Sequence, residues 1–336
     1  MLNVMKCIYR EQDNPKELVK YFSDSDVVID SIFKNKKIRF TQPAALNDPL
    51  EFNPILIFPE SVKNAYKPYI CRNKQLPSVE LFCRIQLIES VINNYGILSL
   101  SSEVDSFDMW NLYSNGHKGF LIQFKDNFNE HKSFRSTKEA RIYKIGKLEY
   151  VDILKIELKE LVTEENYDHF EYIYETLFFS KSNRWEHEHE YRIVRKLSDH
   201  ENFTPINKVH RNQNSIYLFD FPLECIDSIA FGAQMTIANK IKIINACKNM
   251  DIQYYQSVVF KDEIDRNGKR GHVHYFSIAD NGSIKIANLE NLPVELLCSD
   301  SNTYTNLHNP ISVKELKSYP LFRKNKTMIR RLFNNL

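Results

Sequence analysis

The sequence predicts an α+β fold: a mixed, largely antiparallel sheet with flanking helices. Short strand-like stretches such as ILSLSS, FLIQF, EYRIVRK and IDSIAFG recur along the chain, with stretches of helical period interspersed among them in mixed order. Glycine, at 8 of 336 residues, is too scarce for an architecture of Gly-rich nucleotide loops, which need backbone positions free of a Cβ. An apolar content of 43%, with 22 Phe and 18 Tyr, supplies a sizeable core and argues against disorder.

The elements follow in order. A strand at Lys20–Phe22 leads into a helix over VVIDSIF, capped by Ser23 or Asp24, with Val28, Ile29, Ile32 and Phe33 as its apolar face. KKIRFTQP is a second strand closed by Pro43, and Asn47-Asp48-Pro49 is a turn that bonds its own backbone. Residues 78–94 carry helical periodicity, which Gly96 ends before the strand ILSLSS. FDMWNLYSNGHKG is a short helix and turn ahead of FLIQF. Residues 141–151 read as strand, and 153–181 as one long helix burying Leu154, Leu158, Leu161, Tyr172, Leu177 and Phe178. EYRIVRK, SIYLFDF, IDSIAFG, IQYYQSVVF and VHYFSIA supply further strands, and TIANKIKIINACKNM a helix between two of them. Periodicity weakens after Asn288, which divides a core domain at 1–285 from a basic C-terminal extension at 286–336, read as a solvated amphipathic helix end.

Charge excludes several classes. With 45 basic and 43 acidic residues the net charge is +2, so no global field recruits nucleic acid. Six cysteines without CxxC spacing, no signal peptide and no apolar run of membrane length point to a cytosolic chain with reduced thiols and no membrane partner. P-loop, Rossmann, kinase, GxSxG, zinc-finger and RNA-recognition signatures are absent.

The densest polar string is WEHEHEYR. Extended, it sets Glu186, Glu188, Glu190 and Arg192 on one face and His187, His189 and Tyr191 on the other. Carboxylates so close repel, so such a face must be solvated, paired with cations or bound to a ligand; their pKa values are expected to be raised, and Arg192 is the evident counter-ion. The same string also fits an exposed edge strand laced with Glu–Arg pairs. His187, His189, Glu188 and Glu190, with the His272/His274 pair, offer metal-ligand chemistry, but alternation divides the first set between two faces and no HExxH spacing exists. No metal is expected, and a metal-dependent nuclease or hydrolase is the lesser alternative. In MWNLYSNGHKGF, Met109 and Tyr113 share a helical face, and the turn after them carries His117 and Lys118.

Four strings in order, KYFSD…KKIRFTQPAALNDPLEF, GILSLSS…MWNLYSNGHKGFLIQF, KSNRWEHEHEYRIV and IDSIAFGAQMT, resemble the bacterial family known as domain of unknown function 2971, over about residues 18 to 280. At the opening, Phe22-Ser23-Asp24 stands where that family more often has Arg-Ser. The order of elements also resembles mono-ADP-ribosyltransferases. That resemblance implies a split sheet, NAD as the substrate, and three stations: a polar residue on the first strand, a Ser/Thr/Tyr station, and a late Glu within Glu-x-Glu. It puts Tyr21 (or Lys20) first, Ser99 and Ser101 in the middle, and Glu190 as catalytic carboxylate with Glu188 assisting and Arg192 fixing their charge. Trp110, Tyr113 and Trp185 would stack on the dinucleotide. The activity implied is ADP-ribosyl transfer by a bacterial toxin or phage-defence effector, onto a protein or nucleic-acid acceptor. The alternative from another class is a non-catalytic sensing module binding a nucleotide or protein through the same residues.

Overall fold

A computed structural model describes residues 18–48, 50–72, 81, 84, 92–104, 106–131, 133–134, 145–158, 167–197, 216–264 and 270–277. Most of the helix expected at 78–94, Leu161 and the extension at 286–336 lie outside the described residues, as do the side chains of His272 and His274. The elements are β1 (Val19–Phe22), α1 (Asp26–Ile29, continued by a π turn at Asp30–Lys34), β2 (Lys37–Phe40), β3 (Ile55–Ile57), α2 (Glu60–Arg72) and β4 (Tyr95–Ser101). Then come α3 (Phe107–Tyr113), β5 (Phe120–Phe124), β6 (Ile145–Lys147), β7 (Glu149–Val151), β8 (Lys155–Glu157), α4 (Tyr167–Phe178), β9 (Ser180–Ser182) and β10 (Glu190–Lys196). The series closes with β11 (Tyr217–Asp220), β12 (Ile226–Phe231), α5 (Ile237–Ala246), β13 (Gln253–Ile264) and β14 (Arg270–Ser277). The fold class is α+β with mixed, mostly antiparallel pairing.

The chain forms two compact units. The first takes its described residues from Ile38–Ser102 and Asn129–Asp220, the second from Glu17–Lys37, Glu103–Phe128 and Phe221 onward. In the second unit strands run in the order β14, β13, β12, β5, β1. All neighbours there are antiparallel except β12 and β13, which α5 joins by a crossover. Thr236 caps α5 by accepting from the Asn239 amide, and Ser106 caps α3 by accepting from the Met109 amide.

In the first unit β10 pairs antiparallel with β4 on one side and with β6 on the other. β10 is therefore not the exposed edge strand that its charges suggested. On the β4–β10 pair Ile97 lies opposite Val194, Ser99 opposite Arg192, and Ser101 opposite Glu190, so all these side chains share one face. The core under that face gathers Phe52, Leu56, Tyr95, Ile97, Ile173, Tyr174, Leu177, Phe178 and Val194. Each fully buried side chain of this size contributes about 1.5–3 kcal/mol.

Several sequence expectations change locally. The long helix over 153–181 is interrupted, because Lys155–Glu157 pairs in parallel with β3 and only Tyr167–Phe178 is described as helix. Exposed Lys155 and Glu157 flank buried Ile156, a period-two pattern that the helical reading passed over. On α4, Ile173, Tyr174, Leu177 and Phe178 form the buried stripe, which leaves Tyr172, expected inside, 42% exposed. The cap of α1 is Ser25, one and two residues beyond the expected Asp24 and Ser23; its hydroxyl accepts from the Val28 amide. Among the described residues no helix is long and apolar enough to cross a membrane.

A buried ion-pair cluster as the candidate functional site

The string expected to be extended is not. After Ser182 the chain turns into a 3-10 helix at Asn183–Glu188, and His189 closes it in the left-handed region at φ 43°. The strand resumes only at Glu190. A continuous strand would have set Glu186, Glu188 and Glu190 side by side on one face. The helical turn leaves Glu186 exposed and buries Glu188 and Glu190, each 3% exposed, around a cation that sequence reasoning missed.

That cation is Lys181 on β9. Its Nζ donates to Glu188 Oε2 at 2.6 Å and to Glu190 Oε2 at 2.8 Å, and sits 5.2 Å from the ring centroid of Trp185. Arg192, fully buried, donates from Nε to Glu190 Oε1 at 2.8 Å and from Nη1 to the Phe178 carbonyl at 2.9 Å. Its Nη2 pairs with Glu51, which follows the Asn-Asp-Pro turn. The Phe178 carbonyl belongs to the last turn of α4, where a cation is favoured by the unsatisfied carbonyls of the helix end. Gly146 lies opposite Arg192 on β6, and the Phe179 ring occupies the space a Cβ there would need. Tyr150, beside Lys181 in the β7–β9 register, accepts from the Glu190 amide at 2.8 Å.

Burial and pairing oppose each other at every charge. Burial would raise the Glu190 pKa, yet the charges of Arg192 and Lys181 and their hydrogen bonds hold it down at about 2. The sequence expectation of raised carboxylate pKa values is thus reversed at Glu190, because two cations face it. At Glu51 the order is the other way: burial lifts its pKa despite Arg192 and Lys181, and the negative charge of Glu190 adds to the rise. Arg192 and Lys181 are both held above their ordinary values, since the carboxylates more than offset the burial that would lower them. The result is an ionised carboxylate, Glu190, in a low-dielectric setting with its negative charge available at neutral pH.

The remaining candidates of the first unit adjoin this centre. Ser101 Oγ donates to the Glu188 carbonyl at 2.6 Å, and Ser99, half-buried, lies opposite Arg192 in the β4–β10 register. Trp185 is half-buried, with its Nε1 donating to Asp48 Oδ2 at 2.9 Å; the other oxygen of Asp48 accepts from the Leu50 amide. The Asn-Asp-Pro turn therefore does structural work and anchors the indole as well.

Tyr21, Trp110 and Tyr113 belong to the second unit. The Tyr21 hydroxyl donates to the Glu103 carbonyl at 2.7 Å, and its ring meets Trp110 edge-on at 5.3 Å. Trp110 is fully buried, while Tyr113 is half-buried against the same cluster. Beside Trp110 lies His117, fully buried at φ 63° between the Trp110 and Phe107 rings. Among the described residues neither of its ring nitrogens has a hydrogen-bond partner of normal geometry, and burial pushes its pKa down to about 4 against a weaker pull from the Phe107 carbonyl.

Lys181, Glu51 and Tyr150 were not read as site residues. Lys181 carried a visible signal: with Arg184 it is one of two cations between the apolar end of α4 (TLFFS) and the acidic string WEHEHE. Glu51 and Tyr150 carried none, because only the tertiary fold brings them to β10. Among the described residues no group of three or more His, Cys, Asp or Glu is placed to hold a metal ion.

A family model described as a protein of unknown function (DUF2971) matches residues 109–193. That span includes Lys181, Trp185, Glu188, Glu190 and Arg192, but not Glu51, and is narrower than the stretch over which the motifs run. No curated protein and no solved structure matches the chain.

Proposed function

We propose that the Lys181–Glu188–Glu190–Arg192 cluster is the centre of an ADP-ribosyltransferase-like site that takes NAD as its substrate. The observation that carries this reading is a buried carboxylate, Glu190, kept ionised by Arg192 and Lys181 beside a second carboxylate and the Ser99/Ser101 strand. Cleaving the bond between nicotinamide and ribose sends the bonding electrons to neutral nicotinamide and leaves positive charge on the sugar. A fixed carboxylate that hydrogen-bonds a ribose hydroxyl stabilises that charge, and its value grows where water is excluded. The acceptor then bonds to the anomeric carbon and gives up its proton to solvent, while Glu188 assists by pairing with Lys181. Trp185, tethered by Asp48, offers an aromatic face to the dinucleotide. The acceptor, in this reading, is a protein or a nucleic acid, and a toxin or phage-defence role follows from the same chemistry.

The test is transfer of label from adenylate-labelled NAD into bacterial lysate, with free nicotinamide measured in parallel, for the wild type, Glu190→Gln and Glu188→Gln. Loss of both signals by about 10²–10³-fold in Glu190→Gln, with the variant folded, is the expected outcome. A second reading has its own observation: both Glu190 oxygens are already engaged by Lys181 and Arg192. That arrangement favours a non-catalytic sensing module that binds a nucleotide beside the cluster. Binding of NAD by calorimetry without nicotinamide release or label transfer would select this second reading.

A further inference from the structure

The two cations that hold Glu190 are built differently. Arg192 is tied to three separate places in the first unit: Glu190 on its own strand, the Phe178 carbonyl at the end of α4, and Glu51 after the Asn-Asp-Pro turn. A planar guanidinium locked on three sides does not move without breaking all of them. Lys181 is a point charge on a flexible stem, shared between Glu188 at 2.6 Å and Glu190 at 2.8 Å, with the Trp185 ring 5.2 Å away. If it lets go of Glu190 it keeps the shorter of its two ion pairs and the aromatic face. Among the described residues, the Oε2 of Glu190 that it releases retains only a long contact, 3.4 Å, from Arg192 Nη2, whereas Oε1 stays bonded to Arg192 Nε. One carboxylate oxygen is thus anchored and the other exchangeable.

We propose that Lys181 is the movable counter-ion of Glu190, a positioning residue that gives up Glu190 Oε2 to a ligand hydroxyl by withdrawing onto Glu188 and the Trp185 ring. Glu188 then has a task that needs no contact with the reacting atoms: it is the second seat for the ammonium. This explains why a Glu-x-Glu pair is parted by a left-handed residue, His189, which turns Glu188 off the strand face and lets Lys181 reach both carboxylates. Among the described residues the groups facing Lys181 are Glu188, Glu190, Glu51, Arg192 and Tyr150. The inference rests on the transferase reading for the identity of the ligand, with a ribose hydroxyl as the donor that takes the lysine's place.

Two substitutions separate this role from a static tie, because it gives them opposite signs. Lys181→Gln removes the competitor for Glu190 Oε2, so NAD binds about tenfold tighter. Glu188→Gln removes the second seat, so NAD binds about tenfold weaker. A static tie predicts weaker binding in both, and that result overturns the proposal. Should Lys181→Gln fail to fold, the double variant Lys181→Gln/Glu188→Gln removes one charge of each sign and is expected to bind NAD at least as tightly as the wild type; weaker binding overturns the proposal equally. Titration of the Glu190 side-chain carboxyl by 13C NMR, without ligand, distinguishes failure here from failure of the transferase reading. If the folded wild type binds no NAD, the transferase reading falls and the titration alone decides. A Glu190 midpoint that rises in the lysine variant and stays at or below the wild-type value in Glu188→Gln sustains the shared counter-ion. A midpoint unmoved by Lys181→Gln overturns it.

Discussion

Arg192 in the first unit and His117 in the second are both sealed from solvent, yet they end in opposite charge states. Burial disfavours the charged form of each. At Arg192 two carboxylates, Glu190 and Glu51, more than offset that cost, and the guanidinium stays charged. At His117 the neighbours are the Phe107 and Trp110 rings, no carboxylate among the described residues offsets its burial, and its pKa falls below the ordinary value so that the imidazole is neutral at pH 7. Burial sets the size of the electrostatic cost in both units, and the partner set decides its sign. The two sites thus differ in their partners and not in their burial.

The hardest way to break this contrast is to take away the guanidinium. Arg192→Met leaves Glu190 and Glu51 buried with reduced compensation, and the expected cost is about 3–5 kcal/mol, measured by urea unfolding at pH 7. Adding Glu190→Gln and Glu51→Gln to the same chain is expected to recover more than half of that loss, since neutral amides need no counter-ion. A single-variant loss below about 1 kcal/mol would mean that the cluster is not held together by charge.

Acid unfolding sharpens the contrast next. The His117 pKa lies at about 4 in the folded protein, below the ordinary 6.5. The unfolded chain therefore binds the proton first, and stability is complete above pH 6.5 and lost as the pH falls towards 4, by about 3 kcal/mol at most. His117→Phe is expected to abolish that loss. The Glu190 pKa, at about 2 against the ordinary 4.5, gives a second and lower window: its stabilisation is present above pH 4.5 and lost between there and pH 2. Glu51 acts in the opposite sense, since its raised pKa makes the folded state take up a proton first as the pH falls. Glu190→Gln is expected to flatten the lower window alone. If His117→Phe changes the lower limb, the assignment of the two windows is wrong.

How much of this was legible before the fold was known follows from range. Strands such as FLIQF and IDSIAFG, and the helix opened by Thr236, declare themselves through neighbours two to four residues away. Glu190 and Arg192 were picked out by local charge density and strand alternation, whereas the face they share with Ser99 and Ser101 depends on the β4–β10 register, which only the fold supplies. The 3-10 turn at Asn183–Glu188 was not legible, because the charge pairing of Lys181 with both Glu188 and Glu190 outweighs the local alternation that favours a strand. Glu51 lies 141 positions from Arg192, and no pattern in the intervening chain announces their pairing. The direction of the Glu190 pKa failed for the same reason: it depends on cations that the sequence neighbourhood shows only in part.

Two glycines offer a smaller test of how rigid each interior is. A Cβ on Gly232 in the second unit would lie 2.2 Å from the His117 carbonyl oxygen and 2.7 Å from that of Gly119, both backbone atoms held in hydrogen bonds. A Cβ on Gly146 in the first unit meets the Phe179 ring at 2.4 Å, and a ring at the edge of a core gives more easily than backbone. Gly232→Ala is expected to cost about 3 kcal/mol and Gly146→Ala about 1–2, from thermal unfolding at pH 7. The reverse order would mean that the packing against Arg192, opposite Gly146, is the less forgiving of the two.

Two tyrosine hydroxyls work in opposite directions, and one of them gives the smallest effect. Tyr21 donates to the Glu103 and Val104 carbonyls, at 2.7 and 3.2 Å. Tyr150 accepts from the Glu190 amide, which points away from β4, because the flanking bond from the Ser102 amide to the His189 carbonyl leaves Glu190 and Ser101 a non-bonded pair. A carbonyl with a lost donor still has a second lone pair for other partners; Val104 also accepts from the Trp110 indole at 3.4 Å. A buried amide has one proton and no second choice, so orphaning it is the costlier loss. Tyr150→Phe is accordingly expected to cost about 2 kcal/mol and Tyr21→Phe about 1. The hydrogen-exchange rate of the Glu190 amide is the sharper readout, since it rises in Tyr150→Phe by more than global destabilisation accounts for only if that hydroxyl is the partner that holds the start of β10.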